Sequence, residues 1–395
     1  MSAETLTGEP WSISPDTPSR PFTLGLWVLV GLGLITFLMG VTGENAQRVW
    51  QAYLVNWLFW SGLALSGLTF SALLQVTKAE WAGPLRQLAE ALAAFLPISF
   101  FLLLFLFLGS EQLFSWIQNP IPAKQAWLNK PFLMLRSLFG CVLLYGCGFA
   151  LLRASVRATR PLPRVLVPFV SRENVTNIAR RQRQLTILSS VFLVLYALVF
   201  SLFAFDLVMA LEPHWISTLF GAYFCIGNLY AGLSLLAILA VPRRASTLFS
   251  AERSHDLGKL IFGFCVLWTY LFWCQYLPIW YGNLPEETGF LAVRLFDEPW
   301  AAISFFVLLL NFLLPFPILL LQWVKRAPAA LACISALILV GMWLERYILV
   351  VPSVWQKDWL PLGWVELGML LGFFALFTLA FRAWMRIFPI RPPAA

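Results

Sequence analysis

Few residues in this chain could do acid–base or ion-binding chemistry, and several of them interrupt stretches that are otherwise apolar. Asp206 lies within FDLVMALEPHWI, with Glu212 and His214 just beyond it; Glu345 and Arg346 adjoin in GMWLERYILVVPS; Arg136 and Glu366 stand in two further apolar runs. A charge inside a bilayer is costly unless it is paired or wetted, so intramembrane ionisable residues are functional candidates. Two chemistries suit them. Buried bridges among Arg136, Asp206, Glu345 and Arg346 would fix helix packing; alternatively Asp206, Glu345 and Glu366, with hydroxyls and water, would relay protons toward the outer membrane face. Adjacent helical residues point about 100° apart, so Glu345 and Arg346 are expected to need separate partners. Glu212 and His214 flank Pro213 at an expected turn, where solvent accommodates both. Asn228, Thr269, Tyr270 and Gln275 could carry hydrogen bonds through the middle, while Glu90, Asp256 and Lys259 open helices and are expected to be solvated or to cap them.

The chain holds two histidines, His214 and His255, predicted on opposite membrane faces. That placement excludes a bis-histidine haem within the subunit, and the pattern contains no zinc or di-iron cluster. The six cysteines all fall in apolar runs without a CxxC pair, which argues for small buried apolar residues rather than iron–sulfur ligands or disulfides. Phosphate-binding loops, nucleophile elbows and HExxH are absent. A self-contained hydrolase, kinase or ATP-driven pump is therefore not expected, and redox carriers would belong to partner subunits.

The elements that position these groups follow from composition. The chain has 395 residues, 60% apolar and 12% charged, with 19 Trp, which places it in the polytopic membrane class. A bilayer span needs about 20 apolar residues, and lipid cannot satisfy free backbone groups, so helices are required. Ten runs qualify: 24–42, 52–76, 88–109, 132–152, 185–211, 215–241, 257–281, 300–324, 329–351 and 362–384. The expected fold is an all-α integral membrane protein of about ten transmembrane helices, arranged as two four-helix bundles plus two peripheral helices. Residues 1–23 and 385–395 are read as cytoplasmic tails around a ten-helix domain, 24–384, interrupted by a long basic cytoplasmic loop, 153–184. Most of the 27 Lys and Arg residues fall on the side of that loop, so the positive-inside rule puts both termini in the cytoplasm. The net charge of +8 then reflects topology and anionic lipid, and no nucleic-acid partner is expected. Trp residues crowd the outer ends of the runs, where anchoring at the headgroup level is the expected role of most of them.

Three stretches carry a resemblance: FDLVMALEPHWISTLFGAYF, HDLGKLIFGFCVLWTYLFWCQYLPIWYGNLPEET and GMWLERYILVVPSVW. Together they resemble the membrane subunits of alternative complex III, a bacterial quinol:electron-acceptor oxidoreductase, which belong to the NrfD/PsrC-like (polysulfide reductase membrane subunit) superfamily. That complex has two such paralogues, ActC and ActF. Where the quinol-oxidising ActC type carries a histidine at the end of its third helix, this chain reads FLGSEQLFSW, with Phe107 in that neighbourhood; where a His-Asp pair is expected, it has Phe205-Asp206. Both departures resemble ActF.

The resemblance implies Asp206, His214, Tyr270, Gln275, Tyr276, Glu345 and Arg346 as a polar core near the outer face, with Arg136 and Glu366 read beside them from the sequence. It further implies a bacterial cytoplasmic-membrane location, an ActC-like membrane paralogue, an iron–sulfur subunit and a multihaem cytochrome c subunit as partners. Haem c and iron–sulfur clusters would sit in those partners, with none held by this chain, and menaquinol or another quinol would be the substrate of the complex. The outer NLPEETGF segment is expected to be a docking loop. Two alternatives stay open: direct quinol binding near Asp206 and His214, and a secondary transporter using Asp206, Glu345 and Arg346.

Overall fold

The computed structural model describes residues 20–43, 46–159, 178–241, 250–355, 357 and 359–390. Most of the expected N-terminal tail, the centre of the basic loop and the last five residues lie outside them. Among the described residues, ten helices are long and apolar enough to cross a membrane: α1 (Arg20–Val41), α2 (Ala46–Val76), α3 (Pro84–Leu113), α4 (Lys130–Arg157), α5 (Arg180–Leu211), α6 (Phe220–Leu239), α7 (Ala251–Gly282), α9 (Trp300–Leu320), α10 (Pro328–Val354) and α11 (Trp364–Ile387). The eleventh helix, α8 (Pro285–Leu295), is short and lies between α7 and α9. The spans alternate in direction, so the bundle has a turn end, where residues 212–219 join α5 to α6, and a loop end, where α4 leads into the basic loop.

Ten runs thus become ten spans, with the expected architecture. One bundle is α2–α5; the other is α6, α7, α9 and α10; α2 and α5 of the first meet α6 and α10 of the second at the seam, with α2 touching both and α5 packing on α6, and α1 pairs with α11 on the outside of α2. The least hydropathic span, α2, is the most buried. Protein surrounds it, so Asn56, Ser61, Ser66 and Thr69 find hydrogen bonds there that lipid would deny them. Small residues close the helix pairs: a Cβ on Gly33 of α1 would stand 2.7 Å from the Gly372 Cα of α11, and Gly62 of α2 makes room for the Asn228 side chain of α6. Such close approach is how membrane helices gain dispersion energy when lipid tails compete equally for apolar surface.

Two departures shape the turn end. Residues 212–219 do not extend α6 toward 215 as expected; the chain turns there, and α6 starts at Phe220. In α9 a π-helical turn spans Leu309–Leu313, closed by Leu314 N donating to Leu309 O at 2.9 Å. Beyond that turn α9 packs on α7, whereas its first segment, Trp300–Leu308, packs on α8 and α10. The two helices therefore part toward the turn end, and the space between them is described below.

The tryptophans correct an expectation. Trp50, Trp57, Trp60, Trp116, Trp215, Trp300 and Trp355 are buried, whereas Trp127, Trp273, Trp280, Trp359 and Trp364 are exposed. Interfacial anchoring thus suits the minority; the others pack between helices, where their large apolar rings gain most.

Candidate functional site

Along α10, Glu345, Ile348 and Leu349 share a face because residues three and four apart stack on one side of a helix. That face lines a cavity of about 460 Å³ at the turn end of the second bundle. Its other walls are Tyr223 of α6, Trp268, Phe272, Gln275 and Tyr276 of α7, and Ala301, Ser304 and Phe305 of α9, with α8 as its roof. Glu345 is 1% exposed. Its carboxylate lies 2.6 Å from Arg346 Nη1 and beside the Tyr223 hydroxyl. Neither neighbour is aligned for a hydrogen bond, so both carboxylate oxygens are left without a hydrogen-bond partner. The indole N–H groups of Trp215 and Trp268, in the same wall, are also buried and unpartnered.

The Glu345–Arg346 contact overturns the expectation that these neighbours need separate partners. Their Cβ directions diverge, but both side chains are long and fold back toward each other around α10. Arg346 is completed from α6: it lies 3.8 Å from the centre of the Phe224 ring and 3.4 Å from the Phe224 carbonyl oxygen, to which Nη2 donates. Gly227 leaves the space it occupies.

Arg294 fixes the roof. Its guanidinium, 5% exposed, donates to the carbonyls of Phe290 at 2.8 Å, Ile348 at 3.0 Å and Leu349 at 3.2 Å, and to Ser353 Oγ at 2.6 Å. It thereby ties α8 to the end of α10. Burial pushes it down from its ordinary value to about 9, with the Glu212 charge pulling it back up, so it stays cationic at neutral pH. Beside it Phe290 stacks on Trp215 with ring centres 3.7 Å apart. On α7, Trp268, Phe272, Tyr276 and Trp280 recur every four residues and form a near-parallel ladder with centre spacings of 6.4, 6.4 and 6.3 Å. The ladder runs from beside Tyr223 to exposed Trp280.

The other expected residues fall elsewhere. Asp206 is fully buried in the first bundle, where Arg136 binds it with both arms, Nε to Oδ2 at 2.6 Å and Nη2 to Oδ1 at 2.7 Å. The guanidinium also donates to the Trp127 carbonyl at 2.8 Å and lies over the Trp127 and Phe132 rings. Glu366 opens α11, accepting from Arg48 at 2.8 and 2.6 Å and from the Gly363 N–H at 2.8 Å. His214 is exposed at the turn, lining two further pockets there, of about 790 and 550 Å³. Tyr270 is 60% exposed. Gln275 reaches the turn, accepting from Ser217 Oγ at 3.0 Å. Asn228 and Thr269 donate to carbonyls of their own helices, so they do not link into a chain through the middle. Of the expected polar core, Glu345, Gln275 and Tyr276 meet at the cavity with Arg346 behind them; Asp206 and Glu366 hold separate arginines.

Sequence reasoning missed Arg294, Tyr223, Trp215 and Trp268. One signal was present: Phe290, Leu291, Arg294 and Leu295 recur at helical spacing from the last residue of the expected docking loop, 283–290, onward, and the structure runs a helix with a buried face from Pro285 through Leu295. Glu90 corrects another expectation. It is 1% exposed rather than solvated, accepting from Ser71 at 2.9 Å, Ser155 at 2.5 Å and Arg86 at 3.2 Å. Asp256 and Lys259 pair with each other at 2.7 Å.

Residues 40–356 match the family described as polysulphide reductase, NrfD. The chain belongs to the NrfD family. The match takes in α2 through α10, hence both four-helix bundles and the cavity, and leaves out most of α1 and all of α11. No curated protein matches this NrfD-family chain.

Proposed function

We propose that this NrfD-family chain is an integral membrane subunit of a bacterial quinol:electron-acceptor oxidoreductase of the alternative complex III type, in the ActF branch, and that it anchors the complex and handles protons at Glu345. NrfD membership supports a membrane subunit of a redox complex. The ActF branch is favoured by Phe107 and Phe205, apolar where the quinol-oxidising type carries histidines; Phe107 is buried and Phe205 packs against the core. In this reading the chain lies in the cytoplasmic membrane with its loop end inside, beside an ActC-like paralogue, an iron–sulfur subunit and a multihaem cytochrome c.

The observation that carries the proton role is the state of three buried carboxylates toward the turn end, Asp206, Glu345 and Glu366. Asp206 and Glu366 each bind one arginine through both oxygens, an arrangement suited to holding helices together. Glu345 keeps its acceptor capacity, buried at the wall of a cavity. A carboxylate that takes up and passes on a proton needs such a free oxygen within reach of its proton partner.

Purification of the chain from native membranes with its accompanying subunits, followed by haem and iron analysis, tests the assignment; an intact assembly with neither haem c nor iron defeats it. In the same assembly, Glu345→Gln should lower proton release per quinol oxidised while Asp206→Asn, if it assembles, leaves that ratio unchanged. Unchanged stoichiometry in Glu345→Gln defeats the proton role.

A further inference from the structure

We infer that the loop end of the α1–α11 pair binds the headgroup of an anionic phospholipid from the leaflet on that side. The two helices lie almost wholly outside the family match, residues 40–356, and the site asks nothing of the redox chemistry proposed above.

Small residues set the register of this antiparallel pair. Gly33 lies against Gly372 and Thr36 against Gly368, and toward the loop end Phe22 lies against Arg382. The same register brings Arg20, the first residue of α1, level with Trp384 and Met385, between Arg382 and Arg386 of α11. At about 1.5 Å per residue, Arg382 and Arg386 stand about 6 Å apart along the helix axis, so three arginines share one level of the membrane.

These arginines differ from those deeper in the fold. Arg48, Arg86, Arg136 and Arg346 each meet a carboxylate of this chain, and Arg294 donates to four oxygens. Arg382 is half-buried, with its guanidinium 4.5 Å from the centre of the Phe22 ring. Among the described residues, no carboxylate pairs with it, nor with exposed Arg20 and Arg386. Like charges one turn apart on a helix repel, and a cation at the edge of lipid is costly until an anion meets it. A phosphate answers both, because its oxygens accept from the planar guanidinium fork in pairs. With no described carboxylate at hand to receive an ammonium group, the site favours a head of net negative charge over a zwitterionic one.

The tail has a place beside the head. Phe22, Gly25, Leu29 and Leu32 recur three and four apart and so form one stripe of α1. Phe22 and Leu32 are about half exposed, and a Cβ on Gly25 would meet nothing within 4 Å. Gly25 therefore opens a notch one turn from Phe22 toward the membrane centre, where a chain of methylenes can lie along the helix. Free phosphate gains nothing from that stripe, so the occupant is a lipid. α1 is the least buried span and packs chiefly on α11; a lipid held by both helices fastens the more weakly held one.

The test places the full chain, in its native assembly, in phosphatidylcholine vesicles with a trace of phosphatidylglycerol that carries a diazirine on its acyl chain, and maps the crosslinks by peptide mass spectrometry. Labelling is expected on peptides covering 20–32 and 371–386, about tenfold above that from a phosphatidylcholine probe with the same tail and unaffected by inorganic phosphate. Arg382→Gln with Arg386→Gln should bring it down to the phosphatidylcholine level. If that pair does not assemble, Arg386→Gln alone changes an exposed residue and should lower the labelling about fivefold. Arg183→Gln with Arg326→Gln removes the same charge elsewhere at the loop end and should leave it unchanged. Equal labelling by the two probes, loss of labelling on adding phosphate, or an equal fall in the Arg183 and Arg326 pair overturns the site: the first means ordinary bilayer contact, the second a free-anion site, the third a general surface potential.

Discussion

The turn-end halves of the two four-helix bundles contain the same kind of pair, a carboxylate with an arginine, in opposite conditions. In the first bundle Arg136 clasps both oxygens of Asp206, and the Trp127 and Phe132 rings cover the guanidinium. In the second, Glu345 touches Arg346 yet has no aligned donor, and a cavity opens beside it. Burial is the same in both, so burial alone does not mark a working carboxylate. The difference lies in unused hydrogen-bond capacity next to open volume. A saturated pair rigidifies a bundle; an unsaturated one can exchange partners.

The contrast breaks if the first pair proves dispensable. Asp206→Ala leaves a buried guanidinium unpaired, and breaking such a pair costs about 3–5 kcal/mol; thermal unfolding in detergent should show it. The double change Arg136→Met with Asp206→Leu should recover most of that stability, since a well-packed apolar replacement is often neutral. The roof of the second site comes next. Arg294→Met removes charged hydrogen bonds to three carbonyls, each worth about 1.5–3 kcal/mol at most before compensation by water, and hydrogen exchange should accelerate in α8 while α4 and α5 keep their protection.

Smaller changes sharpen the comparison. Glu345→Gln leaves the buried Arg346 its contacts with Phe224 but no counter-charge, so a loss of about 3 kcal/mol, the low end of the range for breaking a buried pair, is expected, with proton release changed more than melting. Asp206→Asn should show the reverse order. Glu366→Gln retains a side-chain oxygen for the Gly363 N–H but removes the counter-charge of Arg48, so it should cost about 1.5–3 kcal/mol, read as loosening of α11 from α2 with the rest of both bundles intact.

The ten spans are legible in the sequence because lipid leaves the backbone one solution, and the charged residues within them stand out against apolar neighbours. What those charges meet is not legible. Arg48 and Glu366 lie 318 positions apart, and no local pattern announces their pairing. Glu90 reads as a helix-end residue, yet Ser71 and Ser155 arrive from other helices to bury it. The outer tryptophans mislead in the same way: their level in the membrane follows from position in a run, but whether lipid or protein lies alongside depends on which helices become neighbours. The cavity is hidden for a further reason. It arises from the parting of α7 and α9, a property of two helix paths rather than of any residue.

That parting gives the π turn at Leu309–Leu313 a significance beyond local geometry. A π turn holds one residue more than the α turn it replaces. Removing that residue would advance the preceding segment by about 100°, carrying Ala301 and Ser304 off the wall without altering a single side chain that forms it. The cavity is therefore encoded in the count of residues along α9 as well as in their kinds. Relatives aligned by hydrophobicity alone, without regard to that one position, would present a different face of the helix to the same space.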